Sequence, residues 1–174
     1  MTIIATLTHI IKNNKILLIR KKKGLGKGLM NAPGGKVEEG EDIRSTAIRE
    51  VKEELGITVQ RIVPMVILIF YFGYKDEPDW IVYVFKCDEF KGNPRPSDEV
   101  DPFWVSLNEI PYDDMWKDDK IWLPLFLRGE KFVGVFVFDE RIETIKKWLL
   151  KSISDKDIEK YLGDYKLLMK IKLE

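Results

Sequence analysis

The chain has 174 residues, of which 45% are hydrophobic and 33% are charged, and its formal net charge at pH 7 is zero. This length and composition predict a single soluble domain with a sizeable hydrophobic core. Because basic and acidic residues balance, there is no global positive field that would hold a nucleic acid polymer. A small phosphorylated ligand is the expected partner.

The cysteine content and the apolar segments indicate the cellular compartment of the protein. Cys87 is the single cysteine, which excludes an internal disulfide and favours a reducing compartment. The first residues show neither the basic segment nor the small-residue cleavage site of a secretory leader. The longest apolar run, residues 62–72, contains Pro64 and is too short to span a membrane. These features predict a cytoplasmic protein without a membrane partner.

The chain begins with a predicted β-hairpin. Residues 2–11 are rich in β-branched side chains and predict a strand, and residues 15–20 predict its partner across an Asn-Asn turn. His9 is the only histidine, and strand alternation places it on the face opposite Thr6 and Thr8. A surface or packing role is therefore expected for His9 rather than catalysis.

A basic, glycine-rich loop follows in residues 21–28. Glycines at alternate positions predict a flexible loop that can approach a ligand closely, and the surrounding lysines favour phosphate. The alternative is a solvated hairpin loop. A nucleotide-binding P-loop is excluded, because no Gly-Lys-Ser/Thr follows at the required spacing.

The next predicted element is a helix over residues 42–55, with Gly56 as its end signal. Its predicted apolar stripe is Ile43, Ala47, Ile48, Val51 and Leu55. Glu50, Glu53 and Glu54 share another face, where three carboxylates repel one another unless cations neutralise them. Hard divalent ions such as Mg²⁺ or Mn²⁺ prefer oxygen ligands, so this face predicts a metal site.

The remaining elements are strands followed by helices. The predicted strands are residues 62–72, 80–87, 103–107 and 131–138, and the predicted helices are residues 120–127, 141–151 and a last helix opened by a capping box at Ser154. This order predicts an α/β (α+β) layer arrangement.

The spacing around the acidic helix resembles the Nudix box. The positions that carry the resemblance are Gly35, Glu41, Arg49, Glu50, Glu53, Glu54 and Gly56, with aliphatic residues at Val51 and Ile57. The resemblance implies a Nudix hydrolase, a family that uses divalent metal to cleave nucleoside diphosphates linked to another group. It also implies the Nudix fold, a mixed β-sheet sandwiched between helices. A solvated acidic helix face would explain the charges but not the glycines and aliphatic positions.

Segments outside the box resemble one subfamily, the oxidised purine nucleoside triphosphatases that act on 8-oxo-dGTP. These segments are the glycine loop with Met30 and Asn31, Glu99, and residues 110–119 with their Met-Trp-x-Asp-Asp pattern. The similarity covers roughly residues 3–150, so residues 1–150 are predicted to form the Nudix domain. Residues 151–174 are predicted to be a helical extension that packs on this domain or mediates self-association, in a monomer or homodimer.

The subfamily resemblance implies a base pocket. Its residues are Asn31, Phe70, Trp116, Asp118 and Asp119, with Thr6 and Lys21 also lining it. Trp116 offers an aromatic face for stacking, and Asn31 offers both a donor and an acceptor. Two adjacent aspartates in an apolar pocket do not both ionise readily, so a protonated one can donate to an oxidised purine.

The resemblance also implies the chemistry, which is hydrolysis of a nucleoside triphosphate to the monophosphate and pyrophosphate. The implied metal ligands are Glu50, Glu53 and Glu54, with the Gly34 carbonyl and Glu99 as further candidates. Glu53 is the first candidate for the general base and Glu99 the second. Arg49 is expected to hold Glu53 or Glu41, and Gly35, Lys36 and Lys21 are expected at the phosphates.

Other functions stay open on the sequence. Met30 replaces a tryptophan of the eukaryotic relative and Leu25 replaces an aromatic residue, which leaves the preferred purine undecided. Unmodified deoxynucleoside triphosphates, ADP-ribose and dinucleoside polyphosphates are alternative Nudix substrates. A non-catalytic nucleotide sensor is disfavoured because no box glutamate is missing, and an RNA-cap hydrolase because no basic track is present.

Overall fold

The computed structural model describes residues 1–171, which form a mixed β-sheet with helices on both of its faces. The strands of this part of the chain are β1 (Ile3–Lys12), β2 (Lys15–Lys21), β3 (Met30–Asn31), β4 (Gly34–Lys36), β5 (Thr58–Phe72), β6 (Trp80–Lys91), β7 (Val100–Ser106), β8 (Phe132–Phe138) and β9 (Ile145–Ser152). Its helices are α1 (Ile43–Leu55), α2 (Asp119–Leu127) and α3 (Asp155–Gly163), with 3-10 segments at Tyr112–Asp114 and Tyr165–Lys170. Within these residues, no helix is both long and apolar enough to cross a membrane.

The strand order places the short strand β4 beside the first strand of the chain. The sheet runs β3-β2-β1-β6-β5-β8-β9, with β4 added beside β1 and β7 beside β2. The N-terminal half of β1 pairs with β4, whereas its C-terminal half pairs with β2. β1 and β6 run parallel, as do β5 and β8. This branching sets the glycines of β4, and the helix α1 that follows them, against the middle of the sheet.

The two faces of the sheet carry separate hydrophobic clusters. Along β5, Ile67 and Ile69 pack with residues of α1 and α3, whereas Val66 and Leu68 pack with residues of α2. This alternation follows from the period of two in a strand that is covered on both sides. The predicted mixed sheet between helices is confirmed.

The local signals at the ends of the first elements are also confirmed. Asn13 and Asn14 adopt φ values of 51° and 61°, as expected for an Asn-Asn hairpin turn. Asp42 caps α1 by accepting a hydrogen bond from Ser45 N, and Gly56 ends the helix at φ 75°. The predicted apolar stripe is buried except for Ile48, which was wrongly assigned and is 40% exposed.

The predicted helix over residues 141–151 is wrong, because this segment forms a turn and the strand β9. The apolar spacing of this segment also suits a helix. However, β8 would otherwise be a buried edge strand with unpaired backbone groups, and β9 satisfies them along its whole length. The pairing leaves Trp148 half exposed on the outer strand.

The residues after β9 pack on the same face of the sheet as α1. Ser154 caps α3 through a hydrogen bond from Asp157 N, which confirms the predicted start of this helix. Ile158 is buried among residues of the sheet, and the Tyr83 hydroxyl donates to the Tyr161 carbonyl at 2.6 Å. β9 continues past residue 150, and the last three residues of the predicted extension lie outside the described residues.

We predict that Ile158→Ala destabilises the protein by about 2 to 5 kcal/mol, because it leaves a cavity where α3 meets the sheet. Chemical denaturation measures this change in the free energy of unfolding. Lys156→Ala, at an exposed position of the same helix, is the matched control. Equal stabilities of the two variants would contradict the packing of the extension on the domain.

Candidate active site

A cavity of about 620 Å³ brings together most of the side chains singled out from the sequence. The predicted residues on its wall are Thr6, Lys21, Asn31, Gly34, Gly35, Lys36, Glu50, Glu54, Phe70, Glu99, Trp116, Asp118 and Asp119. Arg49 and Glu53 are absent from this lining. The cavity therefore joins residues of the acidic helix to residues that come from distant strands.

Glu50 and Glu54 form one part of the cavity wall, the acidic wall, and their placement depends on the glycines of β4. Gly34 N donates a hydrogen bond to Glu54 Oε1 at 3.2 Å. A Cβ atom built on Gly35 would lie 2.3 Å from the carboxyl carbon of Glu50, so a larger residue would displace that carboxylate. Gly35 thus allows α1 to pack its acidic face directly against β4, whereas Gly34 allows β4 to lie close to the backbone of Thr6 in β1.

Arg49 organises the carboxylates behind this wall. Its Nε and Nη2 donate to the two oxygens of Glu41 at 2.7 and 2.9 Å, and its Nη1 donates to Glu50 Oε1 at 2.9 Å. Nη1 also donates to Glu53 Oε2 at 3.2 Å. The hydrogen bond from Arg49 lowers the pKa of Glu41 to about 2. Of the two expected partners, Glu41 and Glu53, the guanidinium contacts both.

Glu53 lies outside the cavity lining in this arrangement. Its side chain is 59% exposed and its carboxylate is paired with Arg49. Within residues 1–171, no three His, Cys, Asp or Glu side chains are already arranged as ligands of one metal ion. The helix face therefore divides into two partly buried members, Glu50 and Glu54, and the exposed Glu53.

Glu54 is the carboxylate that most needs a positive partner. Its pKa is raised to about 8, chiefly by burial and also by the charges of Glu50 and Glu99, against the hydrogen bond from Gly34 N. Its Oε2 atom is buried and has no hydrogen-bond partner among the described residues. An unpartnered buried oxygen beside two further carboxylates fits a divalent cation.

Another part of the cavity wall, the aromatic wall, is formed largely by aromatic side chains such as Phe70, Phe72 and Trp116. Phe70 stacks on Phe136 with ring centroids 5.9 Å apart, and Phe72 meets Phe138 edge to face at 6.2 Å. A Cβ atom on Gly26 would lie 3.2 Å from the indole of Trp116, so the glycine loop rests on that ring. The ring of Trp116 is thereby held at the cavity wall, where it presents a flat apolar face.

Asp118 and Asp119 form a buried pair on this wall. Asp118 Oδ2 accepts a hydrogen bond from Trp122 Nε1 at 2.8 Å. Burial raises the pKa of Asp118 to about 6, and the indole hydrogen bond opposes this rise. Burial, followed by the charge of Asp118, raises the pKa of Asp119 well above its ordinary value. Burial of the two adjacent carboxylates therefore favours retention of one proton by the pair, so that one member can donate a hydrogen bond while the other accepts.

Polar groups on strands β1, β3 and β4 complete the wall. Asn31 Oδ1 accepts a hydrogen bond from Ala32 N at 2.8 Å, which fixes the orientation of its amide. Thr6 Oγ1 is buried without a partner among the described residues. The Lys36 ammonium lies 5.7 Å from the ring centroid of Trp80.

His9 has the packing role expected for it. The imidazole is fully buried, with ring centroids 5.1 Å from Phe126 and 5.9 Å from Trp122. Burial lowers its pKa to about 3, so the ring is neutral at physiological pH. His9 supports the indole that orients Asp118.

Several cavity residues were missed by sequence reasoning. They include Leu68, Phe72, Trp80, Val82, Phe138 and Ile142. The period of two along β5 predicts that Leu68 and Phe72 share the face of Phe70, so that signal was available. The position of Ile142 had no such signal, because its segment was assigned to a helix.

Residues 3–126 match the model of the NUDIX domain family. The chain is 38% identical over 149 residues to the oxidized purine nucleoside triphosphate hydrolase of Mus musculus, covering 85% of this chain and 94% of that relative. It is 40% identical over 134 residues to the protein of the same name from Danio rerio, covering 76% and 85%. The solved structure of the mutator MutT protein from Bacillus halodurans superposes with a TM-score of 0.74 at 27% identity, covering 85% and 97%.

We predict that Asp119→Asn raises the free energy of unfolding by an amount that grows with pH. In the wild type, the raised pKa lets the folded protein keep the Asp119 proton to a higher pH than the unfolded chain does, so stability falls as the pH rises above about 4. The variant removes this loss, which denaturation at pH 4.5, 6 and 7.5 measures. Asp113→Asn, at an exposed position, is the control. A gain that is equal at all three pH values would contradict the raised pKa.

Proposed function

The chain belongs to the NUDIX hydrolase family, as the spacing of its box predicts, and we propose that it hydrolyses oxidised purine nucleoside triphosphates. The substrate class includes 8-oxo-dGTP, and the products are the monophosphate and pyrophosphate. The observation that supports this proposal is the single cavity shared by Glu50 and Glu54 of the box and by Trp116, Asp118 and Asp119. The proposed role is cleansing of the nucleotide pool in the cytoplasm.

The Asp118–Asp119 pair supports recognition of an oxidised purine. Oxidation at C8 adds a carbonyl acceptor and turns N7 from an acceptor into an N–H donor. The ionised member of the pair can accept from such a donor, and the protonated member can donate to a carbonyl. Trp116 and Phe70 provide apolar surface for the faces of the base.

Glu50, Glu54, Glu99 and the Gly34 carbonyl would hold a divalent cation, with Mg²⁺ the proposed ion and Mn²⁺ an alternative. When bound, such an ion neutralises phosphate charge and lowers the pKa of a coordinated water. Gly35 leaves room for the Glu50 carboxylate beside β4 and is proposed to lie at the phosphates. Lys21 and Lys36 place positive charge at the cavity wall, where it can attract the phosphates.

Glu53 and Glu99 are the proposed general bases that accept the proton of the attacking water. Glu99 lines the cavity, whereas Glu53 is paired with Arg49 outside it. For Glu53 to act as a base or ligand, its exposed side chain has to leave Arg49 and turn towards Glu50. Arg49 acts as a positioning residue in either case, since it orients Glu50.

An unmodified deoxynucleoside triphosphate is the second candidate substrate. Leu25 replaces an aromatic side chain at the cavity mouth and is 52% exposed, so it gives a bound base less aromatic contact. A weaker aromatic enclosure reduces the discrimination that the aspartate pair provides.

We predict that the protein, with Mg²⁺, cleaves 8-oxo-dGTP or 2-oxo-dATP with a kcat/KM at least ~10-fold above that for dGTP, since one recognised polar group is worth about 1.5 kcal/mol. The assay includes ADP-ribose and a capped dinucleotide and identifies the released phosphate. Equal rates on dGTP and 8-oxo-dGTP would favour the second candidate. Release of orthophosphate alone would contradict the proposed bond.

We predict that Glu50→Gln and Glu54→Gln lower kcat/KM by on the order of 100-fold or more, because each removes a charged ligand. Glu39→Gln, at an exposed position outside the cavity, is the matched control and keeps full turnover. A folded Glu54→Gln enzyme with wild-type turnover would contradict the metal assignment. Comparison of kcat for Glu53→Gln and Glu99→Gln over a Mg²⁺ titration identifies the base, because saturating metal compensates for a weakened ligand set but not for loss of the proton acceptor.

A further inference from the structure

The turn between β8 and β9 holds a strained residue. Ile142 has a φ of 60°, in the left-handed region that a β-branched side chain rarely adopts. Among residues 1–171, the other non-glycine residues with positive φ are Asn13 and Asn14, and asparagine tolerates this conformation. Such strain persists only where the surrounding contacts impose it.

Most of those contacts come from the carboxylate and the backbone carbonyl of Asp139. Asp139 Oδ1 accepts hydrogen bonds from Glu143 N at 2.7 Å and from Thr144 N at 3.3 Å, and Oδ2 accepts from the Thr144 hydroxyl at 3.2 Å. Ile142 N also donates to the Asp139 carbonyl at 3.0 Å. These bonds close the turn around Ile142 and fix its backbone.

A second contact ties this turn to the segment that carries the aspartate pair. The Lys117 ammonium donates a hydrogen bond to the Glu143 carbonyl. Lys117 lies between Trp116 and Asp118 in the chain, so the turn and the base-side wall are held together. This bond links the turn that carries Ile142 to the cavity wall that carries Trp116, Asp118 and Asp119.

The imposed conformation directs Ile142 to the cavity. Its side chain lines the cavity and packs against the hydrophobic cluster that contains Phe138, whereas its neighbours Glu140 and Arg141 are exposed. The side chain of isoleucine has neither a charge nor a hydrogen-bond donor for a phosphate group, but it can pack against the flat apolar surface of a base.

We propose that Ile142 is a specificity-determining residue whose side chain contacts the nucleobase, and that Asp139 is the positioning residue that holds it there. This inference rests on the proposed function. With Ile142, the turn between β8 and β9 contributes a proposed contact with the nucleobase, in addition to those proposed for the strands and for residues 116–119.

The test compares Ile142→Gly and Ile142→Asn with Arg141→Ala, a control in the same turn. Glycine and asparagine both accept the left-handed backbone, so the fold is retained while the apolar contact is removed. The readouts are KM and kcat for 8-oxo-dGTP and dGTP, the Kd for the product monophosphates, and Tm. We expect a rise in KM and Kd of roughly fivefold or more, with kcat within about twofold, because the lost contact is apolar and remote from the phosphates.

The positioning role has its own pair of variants. Asp139→Ala removes all three hydrogen bonds and is expected to raise KM as Ile142→Gly does. Asp139→Asn keeps a carbonyl acceptor for both N–H groups and an amide donor for the Thr144 hydroxyl, so it is expected to restore most of the affinity. A merely structural role would change Tm in these variants without moving KM.

Wild-type KM and Kd in folded Ile142→Gly and Ile142→Asn proteins would overturn the proposal. Failure of the wild type to hydrolyse any purine triphosphate would instead overturn the proposed function. In that case, the ratio of the variant and wild-type Kd values for dGMP and 8-oxo-dGMP still decides the role of Ile142.

Discussion

The candidate site depends on the pairing of one guanidinium with the carboxylates of a helix and the loop before it. Arg49 binds Glu41 through two nitrogens and reaches Glu50 and Glu53 through a third. Without this cation, adjacent carboxylates on α1 would repel one another and the helix face could not pack against β4. The charges in the motif are thus mutually dependent, and the glycines of β4 provide the space in which they pack.

The carboxylates on the two walls of the cavity can be neutralised in different ways. On the acidic wall, Glu54 keeps an unpartnered oxygen next to other acidic groups, which suits a cation supplied from outside the chain. On the aromatic wall, Asp118 and Asp119 have no such cation, and protonation of one member relieves the repulsion. One cavity therefore combines a proposed metal and phosphate site with a proposed nucleobase-binding site.

The prediction of secondary structure failed where long-range pairing competed with local pattern. In residues 141–151 the apolar spacing suits a helix, yet the segment forms β9 because β8 needs a partner for its backbone groups. The same error concealed Ile142, since a residue in a predicted helix gives no reason to expect a left-handed turn at the cavity. Elements with clear end signals, such as the capped helix α1, were predicted to within a residue or two.

The sequence by itself determined the acidic helix, its glycine loop and the family, because these lie within residues 35–57 and rest on helical periodicity and fixed spacing. It also pointed, through resemblance, to Asn31, Trp116 and the aspartate pair as neighbours of that helix. Only the tertiary structure decided that Glu53 turns outward to Arg49, that α3 packs on the sheet, and that residues from β5, β6 and β8 build the aromatic wall. These features arise from contacts between segments far apart in the chain, and no local pattern of residues encodes which distant backbone or side chain will satisfy them.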